Sequence, residues 1–233
     1  VDAGALGNGR RFSLDAVESA HVAGVLRGRV GDRVRLVDGA GAEADAILAE
    51  VSRRSVIAEI ETVHRMPQPY GEGVLLALAV VDKQPMDWAV QKAVEVGTRR
   101  FVPLLCDRTQ HRRRDFSRQV EHWQRVARQA LKQCRRSWAM EVASPRLLAD
   151  FAAERGAGRA VVADPGGRPL SEIQPAAAAA LVVGPEGGFA PQELELFDEL
   201  QWPRLKLAVH VLRAETAAIV GAALLVARDE DLL

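Results

Sequence analysis

An apolar, strand-like run at residues 180–183 leads directly into Gly184, Pro185, Glu186, Gly187 and Gly188, and a helix start follows at Pro191. Glycines at such a place permit backbone angles closed to other residues and let a ligand touch the main chain. The end of a strand in a parallel sheet is also where α/β proteins bind ligands. Glu186 adds a carboxylate on a rigid turn, a costly choice for mere connection. No Gly-Lys-Ser/Thr follows, so the turn is not a P-loop, and it lacks the Gly-x-Gly-x-x-Gly spacing of a dinucleotide site. Taken alone it is equally readable as a structural turn.

A second chemical segment lies at 205–217, where an apolar run passes through His210 and Arg213 to Glu215 and Thr216 at a helix start. The simple reading is that Glu215 or Thr216 caps the last helix while Arg213 pairs with a carboxylate. Free amides at a helix start also bind polar ligand groups, so capping and binding are compatible.

The elements that hold these segments follow from periodicity. Residues 10–64 read as a small β-rich module. A helical stretch at 15–26 places Val22, Val25 and Leu26 on one side, and β-prone runs at 34–37, 44–51 and 55–63 follow, which suggests a small barrel. The Pro- and Gly-rich segment 65–73 is the expected boundary, dividing the chain into 1–68 and 74–233. Beyond it, apolar runs at 74–81, 101–105, 160–163, 181–183 and 205–209 alternate with helical patterns, which implies a mostly parallel sheet covered on both faces. Helices are expected at 86–96, ended by Gly97 in a left-handed turn, at 116–137, from Pro191 to about residue 200, and at 215–228. The last is apolar on most sides and should be buried in the core or against a second subunit. Ala176–180 is the single low-complexity stretch.

The 233 residues carry 31 Lys and Arg against 31 Asp and Glu, a formal net charge of zero. The balance is uneven along the chain. Residues 99–136 hold twelve basic side chains against Asp107, Asp115 and Glu121, so the remainder is acidic. The helix at 116–137 carries an apolar stripe (Val120, Trp123, Ala127, Ala130, Leu131, Cys134) and a basic exterior that includes Arg118, Arg125, Arg128, Lys132 and Arg135. Arg112, Arg113 and Arg114 precede it. Overall composition does not explain the clustering, and its plain reading is a solvated helix face. Cys106 and Cys134 lack a CxxC or zinc spacing and are read as reduced and buried. No metal site is expected. No apolar run approaches the roughly 20 residues of a membrane helix, and no hydrophobic signal core follows the first charges, so a cytoplasmic protein without membrane association is expected.

Gly-Pro-Glu-Gly-Gly-Phe at 184–189, followed by Val-Leu-Arg-Ala-Glu-Thr-Ala at 211–217, resembles the RsmE family of SPOUT methyltransferases. Further matches run in register along nearly the whole chain: Arg11 and Phe12, His21 with Val25, Leu26 and Arg27, the helix segment 91–97, Pro103 with Asp107, Arg108 and Thr109, and Gln133 with Arg136. The resemblance implies an α/β domain of SPOUT type with a parallel sheet and a carboxyl-terminal trefoil knot, preceded by a PUA-like β-barrel for RNA. It implies a homodimer, and methylation of N3 of a specific uridine in 16S rRNA with S-adenosylmethionine, within the small ribosomal subunit. Transferred by position, cofactor contacts fall on Gly184, Pro185, Glu186, Gly187, Gly188, Leu207, Ala208, Val209, Val211, Leu212, Thr216 and Ala217. Arg213 and Arg136 become candidates for steadying the uracil, and Glu186 or Glu215 for ordering the site or taking the proton. RNA contacts are expected from Arg10, Arg11, Arg27, Lys83, Arg108, Arg112, Arg113 and Arg114.

Two segments depart from the family pattern. Asp82-Lys83-Gln84-Pro85 stands where the family has Lys-Gly-Asp-Arg, and Leu207-Ala208-Val209-His210 stands where it has Leu-Gly-x-Arg. Alternative readings of the chain are a SPOUT enzyme acting on a ribose 2′-hydroxyl and a non-catalytic RNA-binding assembly factor.

Overall fold

The computed structural model describes residues 6, 10–68, 73–110, 115–173 and 180–230. The chain divides into two compact units, Val1–Pro69 with Arg135–Ala139, and Tyr70–Cys134 with Met140–Leu233. The division at 69/70 falls inside the expected linker. Residues 135–139 are the departure, since they fold with the first unit although they lie in the sequence span assigned to the second. Main-chain hydrogen bonds make the attachment, Gly41 N–H to Ser137 O (2.9 Å) and Ala139 N–H to Gly39 O (2.8 Å). The Trp138 indole N–H also donates to Pro67 O at 3.0 Å.

The first unit contains β1 (Arg11–Ser13), α1 (Ala16–Ala20), β2 (Arg33–Val37), β3 (Ala42–Val51) and β4 (Val56–Arg65). The strands form an antiparallel sheet in the order β1-β4-β3-β2. Strict alternation gives β3 its inner face of Ala42, Ala44, Ala46 and Leu48, all buried against Val56, Ala58 and Ile60 of β4. Val22 joins that core, whereas Val25 and Leu26 are 70% and 61% exposed. The cause is local: residues His21–Val25 form a π turn, with Leu26 N–H bonding His21 O. The widened turn shifts the phase on which the shared helical face at 15–26 was expected.

The second unit contains β5 (Leu75–Ala79), α2 (Lys83–Glu95), β6 (Arg100–Leu105), α3 (Ser117–Cys134), β7 (Glu141–Val142), β8 (Arg146–Leu147), α4 (Leu148–Arg155), β9 (Ala160–Arg168), β10 (Ala180–Val183), α5 (Pro191–Glu199), β11 (Arg204–Leu205) and α6 (Ala214–Asp229). Its strands run in the order β11-β9-β10-β5-β6-β7, with β8 also on β6, and every pairing is parallel. Strands β5 and β10 are buried along their whole length, as continuous apolar runs in a sheet covered on both faces require. Gly97 takes φ +100° and ends α2 as expected. Residues 111–114 and residues 176–179 of the Ala-rich stretch lie outside the described residues.

Two expectations are corrected at the carboxyl end. The strand foreseen at 205–209 stops at Leu205. Leu205 pairs with Arg168, the last residue of β9, so beyond Lys206 N–H bonding Arg168 O no ladder partner remains. Helix α6 begins one residue earlier than foreseen, with Arg213 at its N-cap and Ala217 N–H closing the first turn on Arg213 O, so neither Glu215 nor Thr216 is the cap. Gly221 lets α6 approach the sheet, since a Cβ there would stand 2.6 Å from Leu181 Cδ2. The opposite flank of α6 stays half-buried in the chain. Cys106 is buried, while Cys134 is only half-buried.

Candidate functional site

Strands β10, β5 and β6 are consecutive in the parallel sheet, so their carboxyl ends lie along one edge. Three loops leave that edge: Val80 to Lys83 after β5, Cys106 to Gln110 after β6, and Gly184 to Gly188 after β10. Together they line a cleft of about 310 Å³ whose walls include Val80, Lys83, Arg108, Phe116, Glu186 and Gly187. Its size is at the lower end of the range for small-molecule sites.

The glycine turn is built by short-range geometry and then locked from outside. Gly188 N–H bonds Pro185 O at 2.8 Å, and Gly188 takes φ +70°, a conformation that favours glycine. A Cβ on Gly184 would stand 2.9 Å from the Phe189 ring, which itself packs edge-on to Phe197 at 4.8 Å. Arg108 Nη1 donates to Gly187 O at 2.7 Å. The loop after β6 is fixed in turn: Cys106 N–H donates to Thr109 Oγ1 at 2.9 Å. Glu193, 6% exposed, accepts from Asp107 N–H at 2.8 Å and from Ala190 N–H at 2.7 Å. Gln192 Nε2 adds a bond to Asp107 Oδ2 at 2.6 Å. Glu193 thus ties two loops to the amino end of α5, where its charge is favoured.

Of the residues expected to bind a cofactor, the cleft gathers Pro185, Glu186 and Gly187, and it brings Arg108 and Lys83 to the same place. Leu207, Ala208, Val209, Val211 and Leu212 lie in the irregular segment between β11 and α6. Leu207 packs against Leu205 and Val161, while Val209 and Val211 are 87% and 80% exposed. Arg213 is exposed, and Glu215, Thr216 and Ala217 are half-buried in the first turn of α6. Arg136 belongs to the segment that folds with the first unit. Also in that unit, Arg10 and Arg27 are exposed, Arg27 with φ +52°, and Arg11 pairs with Glu50 at 2.8 Å. Arg112, Arg113 and Arg114 lie outside the described residues.

Sequence reasoning missed Val80, Val81, Gln110 and Phe116 as wall residues. The available signal was positional, since Val80 and Val81 follow the carboxyl end of β5, which pairs with β10, and Gln110 and Phe116 follow that of β6, the next strand beyond it. Among the described residues, no group of three or more His, Cys, Asp or Glu side chains is placed to hold a metal. No helix among them is long and apolar enough to cross a membrane.

A parallel α/β sheet with a glycine turn and convergent cations at its carboxyl edge, following a small antiparallel module, defines a ligand-binding α/β protein with an appended domain. Residues 69–226 match the family model described as RNA methyltransferase domain, and residues 14–61 match that of the RNA methyltransferase PUA domain. The chain therefore belongs to the RNA methyltransferase family whose members are named ribosomal RNA small subunit methyltransferase E. The relative of that name from Aquifex aeolicus is 30% identical over 72% of this chain and 73% of its own length. The one from Mycobacterium tuberculosis is 29% identical over 89% and 83%. A methyltransferase from Legionella pneumophila, solved with bound S-adenosylmethionine, is 28% identical, with a TM-score of 0.89 over 97% of this chain and 96% of that one.

Proposed function

We propose that this chain transfers the methyl group of S-adenosylmethionine to N3 of a specific uridine in 16S rRNA of the small ribosomal subunit. The observation that carries the reading is the glycine turn, bonded by Arg108 at Gly187 O, at the edge of a cleft that also holds Lys83 and Glu186. The names of the relatives and the bound cofactor of the Legionella protein support it.

The residues present fit such a cofactor. Gly187 and Gly188 carry no side chain of their own into the cleft, and a Cβ at Gly188 would meet nothing within 4 Å, so the turn leaves open space at the cleft wall. When bound, S-adenosylmethionine supplies an electrophilic methyl on a sulfonium. The protein's share of the reaction is to hold the two reactants in line, to offset the negative charge that develops on the uracil, and to receive the N3 proton. Arg213 and Arg136 are assigned to steadying the uracil or its phosphates, and Glu186 or Glu215 to ordering the site or taking the proton. Gly184 to Gly188, residues 207–212, Thr216 and Ala217 are assigned to the cofactor. An unpaired nucleotide is the natural substrate, because N3 is hidden in a Watson–Crick pair.

The reading includes a cytoplasmic homodimer with a trefoil knot around the cofactor loops. The half-buried apolar flank of α6 and the exposed Val209 and Val211 support a second subunit. RNA contact is assigned to the basic band and to Arg10, Arg11 and Arg27. The test is incubation with labelled cofactor and either unmethylated small subunits or free 16S rRNA. Label should enter RNA in at least one, and transfer to neither overturns the proposal.

A further inference from the structure

A second cleft, of about 650 Å³, abuts the one at the glycine turn and shares Val80, Val81, Lys83 and Phe116 with it. Its far side is the start of α3. Phe116 stands just before that helix, and its carbonyl oxygen accepts Val120 N–H at 2.9 Å, which fixes where the ring is held. The ring is half-buried and stacks on Trp123, with centroids 6.4 Å apart and an interplanar angle of 29°. Trp123 is only 3% exposed, so it backs Phe116 while Phe116 presents the accessible ring. The ionisable groups of the lining are Lys83, Asp115, Arg118 and His122. Lys83 and Arg118 are exposed. Asp115 Oδ1 accepts from the Ser117 hydroxyl and N–H at 2.7 and 2.9 Å. His122 Nε2 lies 2.9 Å from Asp87 Oδ2, so His122 and Asp87 face each other and tie α3 to α2. What remains for an incoming anion is two cations against the single carboxylate of Asp115.

We infer that the second cleft seats the nucleotide next to the target uridine on the RNA strand, its base against Phe116 and its phosphate at Lys83 and Arg118. An aromatic ring beside cations matches a base joined to a phosphate, and it matches neither an apolar peptide nor a lipid surface. A strand whose target base meets the cofactor at the glycine turn carries its next nucleotide one backbone repeat away, and the shared wall of the two clefts meets that demand. Stacking accepts any base, so this seat grips the strand and leaves the target's N3 uncovered for methyl transfer. Asp115 opposes the phosphate and tempers the grip. The inference rests on the proposed RNA substrate and adds the place of the flanking nucleotide.

The test uses the full chain with saturating S-adenosylmethionine and a 16S rRNA fragment made in two forms, intact or with abasic sites on either side of the target uridine. Affinity is read by fluorescence anisotropy, and methyl transfer to the intact RNA is measured in parallel. The wild-type chain should bind the abasic RNA at least about fivefold more weakly. That penalty should vanish in Phe116→Ala and persist in Phe116→Tyr; each variant is compared with itself on the two RNAs, so an effect on the cofactor cleft cancels. Arg118→Ala should weaken both RNAs about threefold and lower the salt slope by about 1. Asp115→Asn should tighten both about threefold, a gain that loss of structure does not give. Arg118 and Asp115 line the second cleft and not the first, so cofactor affinity in calorimetry should not change in these two variants. Equal binding of the two RNAs by the wild-type chain, a penalty that persists in Phe116→Ala, or Asp115→Asn binding no tighter than wild type overturns the assignment. If methyl transfer is retained, the proposed function stands. Absence of both RNA binding and transfer counts against the two together.

Discussion

Arg108 donates from Nη1 to the carbonyl oxygen of Gly187 at 2.7 Å, joining the loop after β6 to the glycine turn after β10 across 79 positions of sequence. The bond is charge-assisted and sets one wall of the cleft. Arg108→Ala should lower S-adenosylmethionine affinity about tenfold in calorimetry with little change in melting temperature, because the side chain is exposed and its loss opens no core. Arg108→Lys should recover only part, since a point charge does not reproduce the directed guanidinium donor.

Glu193 works from beneath. Its buried carboxylate accepts two main-chain N–H groups, from Asp107 and Ala190. Glu193→Ala leaves both without that acceptor and should cost about 2–3 kcal/mol in urea unfolding. Glu193→Gln should cost about half as much, because one amide oxygen still accepts while the NH₂ group cannot.

Gly167 lies where β9 and β11 come closest. A Cβ there would stand 2.5 Å from the Arg204 carbonyl oxygen and 2.9 Å from Leu205 N, both main-chain atoms that cannot turn aside. Gly167→Ala should therefore destabilise by about 1–3 kcal/mol. It should also weaken cofactor binding, because residues 207–212 leave from β11.

Asp115 accepts from the Ser117 hydroxyl at 2.7 Å and the Ser117 N–H at 2.9 Å, at the start of α3. These bonds, with the nearby Arg118 charge, hold its carboxyl below the ordinary aspartate value. A depressed carboxyl pKa gives stability that is present above the unfolded value of about 3.9 and is lost as pH falls through the folded one. Asp115→Asn should lower the melting temperature at neutral pH. The gap from wild type should close on acidification below that range.

The arginine run 112–114 makes a separate prediction through salt. Replacing Arg112, Arg113 and Arg114 by alanine should reduce the slope of log affinity against log salt for single-stranded RNA by about 2. An unchanged slope would mean that these arginines do not touch phosphate.

The parallel sheet and the glycine turn were legible because β5 and β10 are uninterrupted apolar runs and because Gly184 to Gly188 follow one of them directly. The antiparallel module was legible from the alternation in β3. The π turn was not, since a one-residue widening of a helix leaves no mark on periodicity. Nor was the attachment of residues 135–139 to the first unit, which is made by main-chain bonds at Gly39 and Gly41 and by the Trp138 ring crowding the place where a Cβ on Gly41 would stand, a fit that periodicity does not mark. Within the site, Glu186 and Arg108 were found by motif. The reach of Glu193 back to Asp107 and the pairing of His122 with Asp87 required the packing of separate elements, which spacing alone does not encode.

The central claim is the identity of the methylated atom. Small subunits lacking the modification should be incubated with the chain and S-adenosylmethionine, and their 16S rRNA digested to nucleosides for mass spectrometry against standards. The account predicts 3-methyluridine at a single site, with the methyl on the base. Methyl found on ribose, or no methylated nucleoside above the protein-free control, would contradict it.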